Sequence, residues 1–146
     1  METQSKFTAT DWAFLSIRII VGIIFMAHGA QKLFGAFGGH GLEAVVQQMG
    51  PIGYLVTIGE FFGGLGLILG LLPRFSALAN IVIMIGAIVQ VHGKNGFFAQ
   101  SGGFEYNLAL IGLLLPILIA GPGRISVSEA FPLKRREASH QPVPQI

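Results

Sequence analysis

The 146-residue chain contains no cysteine, which excludes a disulfide, a thiolate nucleophile and any Cys-ligated metal or iron–sulfur centre. Charge is scarce too. Only 11% of the residues are Asp, Glu, Lys or Arg, against about 25% in ordinary soluble domains, so water is not the main solvent of this chain. The net charge of +2 is spread along the edges of apolar stretches rather than gathered in one basic patch, which argues against a nucleic-acid partner. No histidine pair stands at i, i+4 and no other local spacing fixes a ligand set, so no metal site is expected. The N-terminus does not have the form of a cleaved signal peptide: Glu2, Lys6 and Asp11 precede an apolar stretch too long for an h-region, and Arg18 interrupts it.

What the chain has in abundance is apolar surface, 52% of all residues, and 21 glycines. Interior glycine costs a helix in water roughly 1 kcal/mol, but in lipid it lets helix backbones approach closely. A helix needs about 20 apolar residues to cross a hydrocarbon core of about 30 Å. Four segments qualify, at about 11–34, 52–72, 75–92 and 105–120. The reading is an all-α, polytopic membrane four-helix bundle over 11–125, with a short N-terminal segment (1–10) and a flexible tail (126–146). The loop between the first two spans is Gly-rich and holds His40 and Glu43; Pro73 and Arg74 make a tight turn, and Gly121, Pro122 and Gly123 stop the fourth span. An even number of spans puts both termini on one side with Lys6, Arg74, Arg124, Lys134, Arg135 and Arg136, against Lys32 and Lys94 opposite. By the positive-inside rule that side is cytoplasmic.

The sequence hints at a duplication. Gly22 precedes His28 and Gly29 as Gly86 precedes His92 and Gly93, at an offset of about 64 residues, and a lysine, phenylalanines, a glycine pair and a glutamate (Glu43, Glu105) follow each. A duplicated helical hairpin running twice in the same direction accounts for this pattern, and it puts His28 and His92 at similar depth.

Polar groups within the spans are costly and normally turn inward and pair. Arg18, about one third of the way in, and Glu60, near mid-span, are two such groups. Two readings stand open. In one, Arg18 and Glu60 form a structural ion pair and His28 bonds a carbonyl. In the other, Glu60, His28, Lys32, His92 and Glu105 line a cavity that admits a polar head group or a proton. Gly22 joins the Arg18 face of the first span, while Gly59, Gly63, Gly66 and Gly70 form a small-residue stripe for helix packing. Lys32 and Lys94 double as snorkelling anchors, and Pro116 is expected to bend the fourth span.

Arg18 with Gly22, His28-Gly29-x-x-Lys32, Glu60-x-x-Gly63-Gly64 continuing to Gly70 and Arg74, Glu105, and Gly121-Pro122-Gly123-Arg124-x-Ser126 together resemble the DoxX family over roughly residues 12–128. One departure is Ser128, where relatives often carry an aspartate. The resemblance implies a multi-pass protein of the bacterial cytoplasmic membrane, related to a quinone-linked thiosulfate oxidoreductase subunit (DoxD-like) and tied to oxidative or thiol stress. Without cysteine, such a chain supports thiol chemistry only as a quinone-binding, anchoring or conducting subunit. Three functions follow as expectations. The first is a redox subunit whose His28 and Lys32 bond a quinone head group while Glu60 moves protons, working with a soluble or membrane oxidoreductase partner. The second is a non-enzymatic scaffold or assembly factor, and the third a small-molecule or lipid carrier that acts as a homo-oligomer.

Overall fold

Helix α1 (Ala9–Phe34) begins at a capping box, in which the Thr8 hydroxyl accepts from the Asp11 backbone and the Asp11 carboxylate accepts from the Thr8 backbone. It ends where Gly35 turns left-handed. In this computed structural model, which describes residues 7–131, the helices that follow are α2 (Gly41–Met49), α3 (Ile52–Leu69), α4 (Pro73–Ala87), α5 (Glu105–Ala120) and the short α6 (Val127–Ala130). The described residues contain no strand, as an all-α bundle requires. Three helices are long and apolar enough to cross a membrane: α1, α3, and α4 together with its continuation to Asn95. The fourth apolar helix, α5, is shorter.

Two differences from the sequence reading stand out. The Gly-rich connection between the first two spans contains a helix, α2, which packs on α3 where Val45 meets Gly53. Ser126 to Phe131, expected to open a flexible tail, instead lie against the bundle, because Ser128 N donates to Gly70 O at 3.1 Å and a turn of helix follows. The rest of the expected tail, and most of the N-terminal segment, lie outside the described residues.

Glycines set the helix spacing. A Cβ on Gly22 would lie 2.7 Å from Gly64 O, a Cβ on Gly64 2.5 Å from Met26 N, and one on Gly29 would overlap the backbone of Phe61. α1 and α3 therefore touch backbone to backbone, as small-residue faces allow in lipid. The expected stripe on α3 divides its work. Gly59, Gly63 and Gly66 face α4 at Ile83, Asn80 and Ser76, while Gly70, at φ +68°, ends α3 and packs against Arg18 and Ser126. The apolar core gathers Val21 and Phe25 of α1, Leu67 of α3, Ala77, Ile81 and Met84 of α4, and Leu110, Leu114 and Ile117 of α5.

Candidate functional site

A cavity of about 660 Å³ runs between α3 and α4. Its lining extends from Phe75 to His92, which is about 25 Å at a helical rise of 1.5 Å per residue. At the Phe75 end the walls are apolar, with Leu78, Ala79 and Val82; toward the other end Lys32, Glu60, Gln90 and His92 join them. Leu55, Leu78 and Val82 on its rim are exposed on the outside of the bundle, where a membrane protein meets lipid. An amphiphile with a polar head and an apolar body fits such a lining.

The ion pair of this cavity is Lys32 with Glu60, in contact through Nζ and Oε2. Glu60 is buried and Lys32 partly buried. This corrects the Arg18–Glu60 pairing considered from sequence. The cause is helix register: Gly22 packs beside Gly64 and Ile68, and Gly29 beside Phe61, so the last turn of α1, not its middle, comes level with Glu60. Arg18, about one third of the way along α1 as expected, lies instead beside Gly70 at the end of α3 and donates from Nη2 to Ile125 O at 2.5 Å. Among the described residues Lys32–Glu60 is the one salt bridge.

His92 reaches the cavity because α4 does not end regularly. It continues into a π-helical turn over Ile88–His92, and Gly93 N bonds Ile88 O; such turns, with their i to i+5 bonds, rotate the side chains beyond them. His92 Nδ1 lies 2.7 Å from Gly102 O. A carbonyl only accepts, so Nδ1 carries the proton and Nε2 is left as the acceptor of the neutral ring.

The remaining candidates are elsewhere. His28 is exposed and lines a separate, smaller depression with Ala27, Gln31, Phe37 and Tyr106 rather than the Lys32–Glu60 cavity. Glu105 accepts from Ala99 N at 2.9 Å and so holds the loop before α5. The members of the suspected duplication are not used alike: Gly22 is pressed against α3, whereas a Cβ on Gly86 would meet nothing within 4 Å. Sequence reasoning passed over Gln90 in the cavity and the buried amides Asn80 and Asn107. Asn80 Nδ2 donates to Ser76 O at 2.9 Å, and its Oδ1 has no partner. A polar residue inside an apolar run was the signal available for each.

The cationic residues separate by end. Arg124 N donates to Asp11 Oδ1 at 2.9 Å beside the first turn of α1, and the Arg74 guanidinium lies 3.5 Å from Ile119 O at the C-terminus of α5, where a cation complements the helix dipole. Lys32 occupies the last turn of α1, at the other end.

A model of the DoxX family matches residues 13–93. The "Putative oxidoreductase CatD" of Bacillus subtilis (strain 168) is 32% identical over 109 residues, 70% of this chain and 76% of the relative. The "Inner membrane protein YqjF" of Escherichia coli (strain K12) is 31% identical over 120 residues, 80% of this chain and 90% of the relative. No solved structure matches the chain significantly.

Proposed function

The chain belongs to the DoxX family of membrane proteins, and from that premise we propose that it is a quinone-holding membrane subunit of a redox or stress-defence system. The observation that carries this reading is the Lys32–Glu60 pair set in the wall of a mostly apolar cavity whose rim is exposed on the outside of the bundle. Lys32 offers its ammonium N–H to a quinone carbonyl, and His92 Nε2 offers a lone pair to the hydroxyl of the reduced form. Glu60, already beside a cation, is placed to take or return the proton that accompanies reduction. The quinone supplies the electron chemistry; the protein binds and orients it. The name of the Bacillus relative, a putative oxidoreductase, agrees with this direction. The basic end, with Arg74 and Arg124, faces the cytoplasm by the positive-inside rule, and the Escherichia relative, named an inner membrane protein, suits a bacterial inner membrane.

Titration of the purified protein in lipid nanodiscs with short-tailed menaquinone and ubiquinone analogues tests the reading. Saturable binding is expected. Loss of one hydrogen bond to a charged group costs about 1.5–3 kcal/mol, so Lys32→Met is expected to weaken binding roughly tenfold or more. A folded protein that binds neither analogue sinks the proposal.

One observation favours a scaffold role instead. Gly112 on the outer face of α5 is exposed, and a Cβ there would meet nothing within 4 Å. That leaves a smooth strip beside Leu108 and Leu115 for a partner helix. Retention of stress resistance in Glu60→Gln, with its loss in Gly112→Leu, would decide for the scaffold.

A further inference from the structure

Arg18 is 1% exposed, yet its guanidinium makes one hydrogen bond, from Nη2 to Ile125 O. Nε and Nη1 are buried without any partner. No carboxylate among the described residues answers the charge: Asp11 is taken by Thr8 and by Arg124 N, and Glu60 by Lys32. An ionised group without a counter-charge is among the most costly things a fold can enclose, and guanidinium cannot escape by losing its proton.

What encloses it is a strap. The chain leaving α5 folds back over the ends of α1 and α3 and is held by three hydrogen bonds: Arg124 N to Asp11 Oδ1, Arg18 Nη2 to Ile125 O, and Ser128 N to Gly70 O. The strap is covalently continuous with α5, and the sequence that follows it contains Lys134, Arg135 and Arg136. Arg74 and Arg124 lie at the same end and are exposed. That end lies beside the terminus of α3, and an exposed basic end of a membrane bundle attracts anionic lipid where it meets the headgroups.

We propose that Arg18 is a concealed phosphate site: the strap at 121–131 swings away at an anionic membrane surface and the freed guanidinium takes the phosphate of a lipid headgroup. Guanidinium and phosphate match as a planar fork to two oxygens, so opening exchanges two unanswered N–H groups for a bidentate ionic contact. The closed form is held by the strap bonds and by the packing of Ser126 on Gly70 and of Gly123 on Phe14, and the balance between the two forms follows the concentration of anionic phosphate at the surface. The proposal is independent of the quinone reading, since the cavity and the strap share no residue.

Because the chain has no native cysteine, spin labels can be attached specifically at Val127→Cys on the strap and Leu108→Cys on the far half of α5, both exposed. Pulsed electron resonance on the full-length protein then reads the distance in three settings: phosphatidylcholine vesicles, phosphatidylglycerol vesicles, and phosphatidylcholine with added inorganic phosphate. A single closed distance is expected in phosphatidylcholine and a second, longer population in phosphatidylglycerol. Its appearance with inorganic phosphate as well would identify free phosphate as a second source of the same ligand chemistry; its restriction to phosphatidylglycerol would identify the lipid. Arg18→Gln is expected to abolish the second population, and Lys94→Gln, which removes an exposed charge at the opposite end of the bundle, to leave it. One distance in all three settings overturns the proposal, and so does an unchanged response in Arg18→Gln. The comparison of lipids in the labelled protein with Arg18 intact decides the matter even where Arg18→Gln fails to fold.

Discussion

Lys32 and Glu60 show how a single contact joins stability to function. Removing one member leaves the other charged in an apolar wall, while removing both leaves no unpaired charge. Glu60→Gln alone is expected to destabilise the protein by about 1–3 kcal/mol, less than for a fully enclosed pair because Lys32 keeps 28% exposure. The double variant with Lys32→Met should recover part of that loss. A double-mutant cycle by detergent-induced unfolding should give a coupling of about 0.5–3 kcal/mol; strict additivity would mean that the two side chains do not interact.

The identities of these residues were legible in the sequence, and their partnership was not. A charge within an apolar run announces that it must be answered, as Arg18, Lys32 and Glu60 each did. Which cation answers Glu60 depends on the relative height of α1 and α3, and that is set by the contacts of Gly22, Gly29 and Gly64, which no local pattern reports. The inward face of α1, with Arg18, Gly22 and Gly29, followed from periodicity, but which depression the flanking His28 lines depends on where Phe37 and Tyr106 come to rest. His92 depended on a π-helical turn, for which Ile88–His92 gives no evident signal.

Among the elements, the four apolar helices followed directly from length and hydropathy, and α5 starts and stops where expected, at Glu105 and Ala120. It runs as one helix through Pro116. α2 was concealed by the glycines around it, since Gly38, Gly39, Gly41 and Gly50 read as loop although the nine residues of the helix pack on α3. The helix contacts also separate two kinds of glycine. Gly29→Leu would drive a side chain into the backbone of Phe61 and should prevent α1 and α3 from closing, with loss of monodisperse protein in size-exclusion chromatography. Gly112→Leu enters open space and should leave the isolated protein's unfolding midpoint within about 0.5 kcal/mol of the parent, as for most surface changes. Gly63→Leu, by contrast, would strike Asn80, so a phenotype there reports internal packing and says nothing about a partner.

For the whole molecule, the family match, the helical bundle and the division of basic residues between its ends agree with the sequence reading. The strap lay beyond its reach, because a Gly-Pro-Gly segment followed by polar residues has the composition of a free terminus; its place is fixed by bonds to Asp11, Arg18 and Gly70 and by packing on Gly70 and Phe14.

The sixteen residues of α5 also have a consequence for the surrounding bilayer. At 1.5 Å per residue α5 is about 24 Å long and α1, with 26 residues, about 39 Å, so the two straddle the roughly 30 Å of a typical hydrocarbon layer. Lipid beside α5 has to thin while α1 tilts or overhangs, each at some elastic cost. Thermal unfolding in vesicles of graded acyl-chain length should therefore show the highest midpoint in bilayers thinner than average, and a midpoint that kept rising with thickness would show that α5 does not meet lipid along its length. A protein of this shape dimples the membrane on one flank, and that dimple would draw in short-chain lipids and any neighbour whose own span is equally brief.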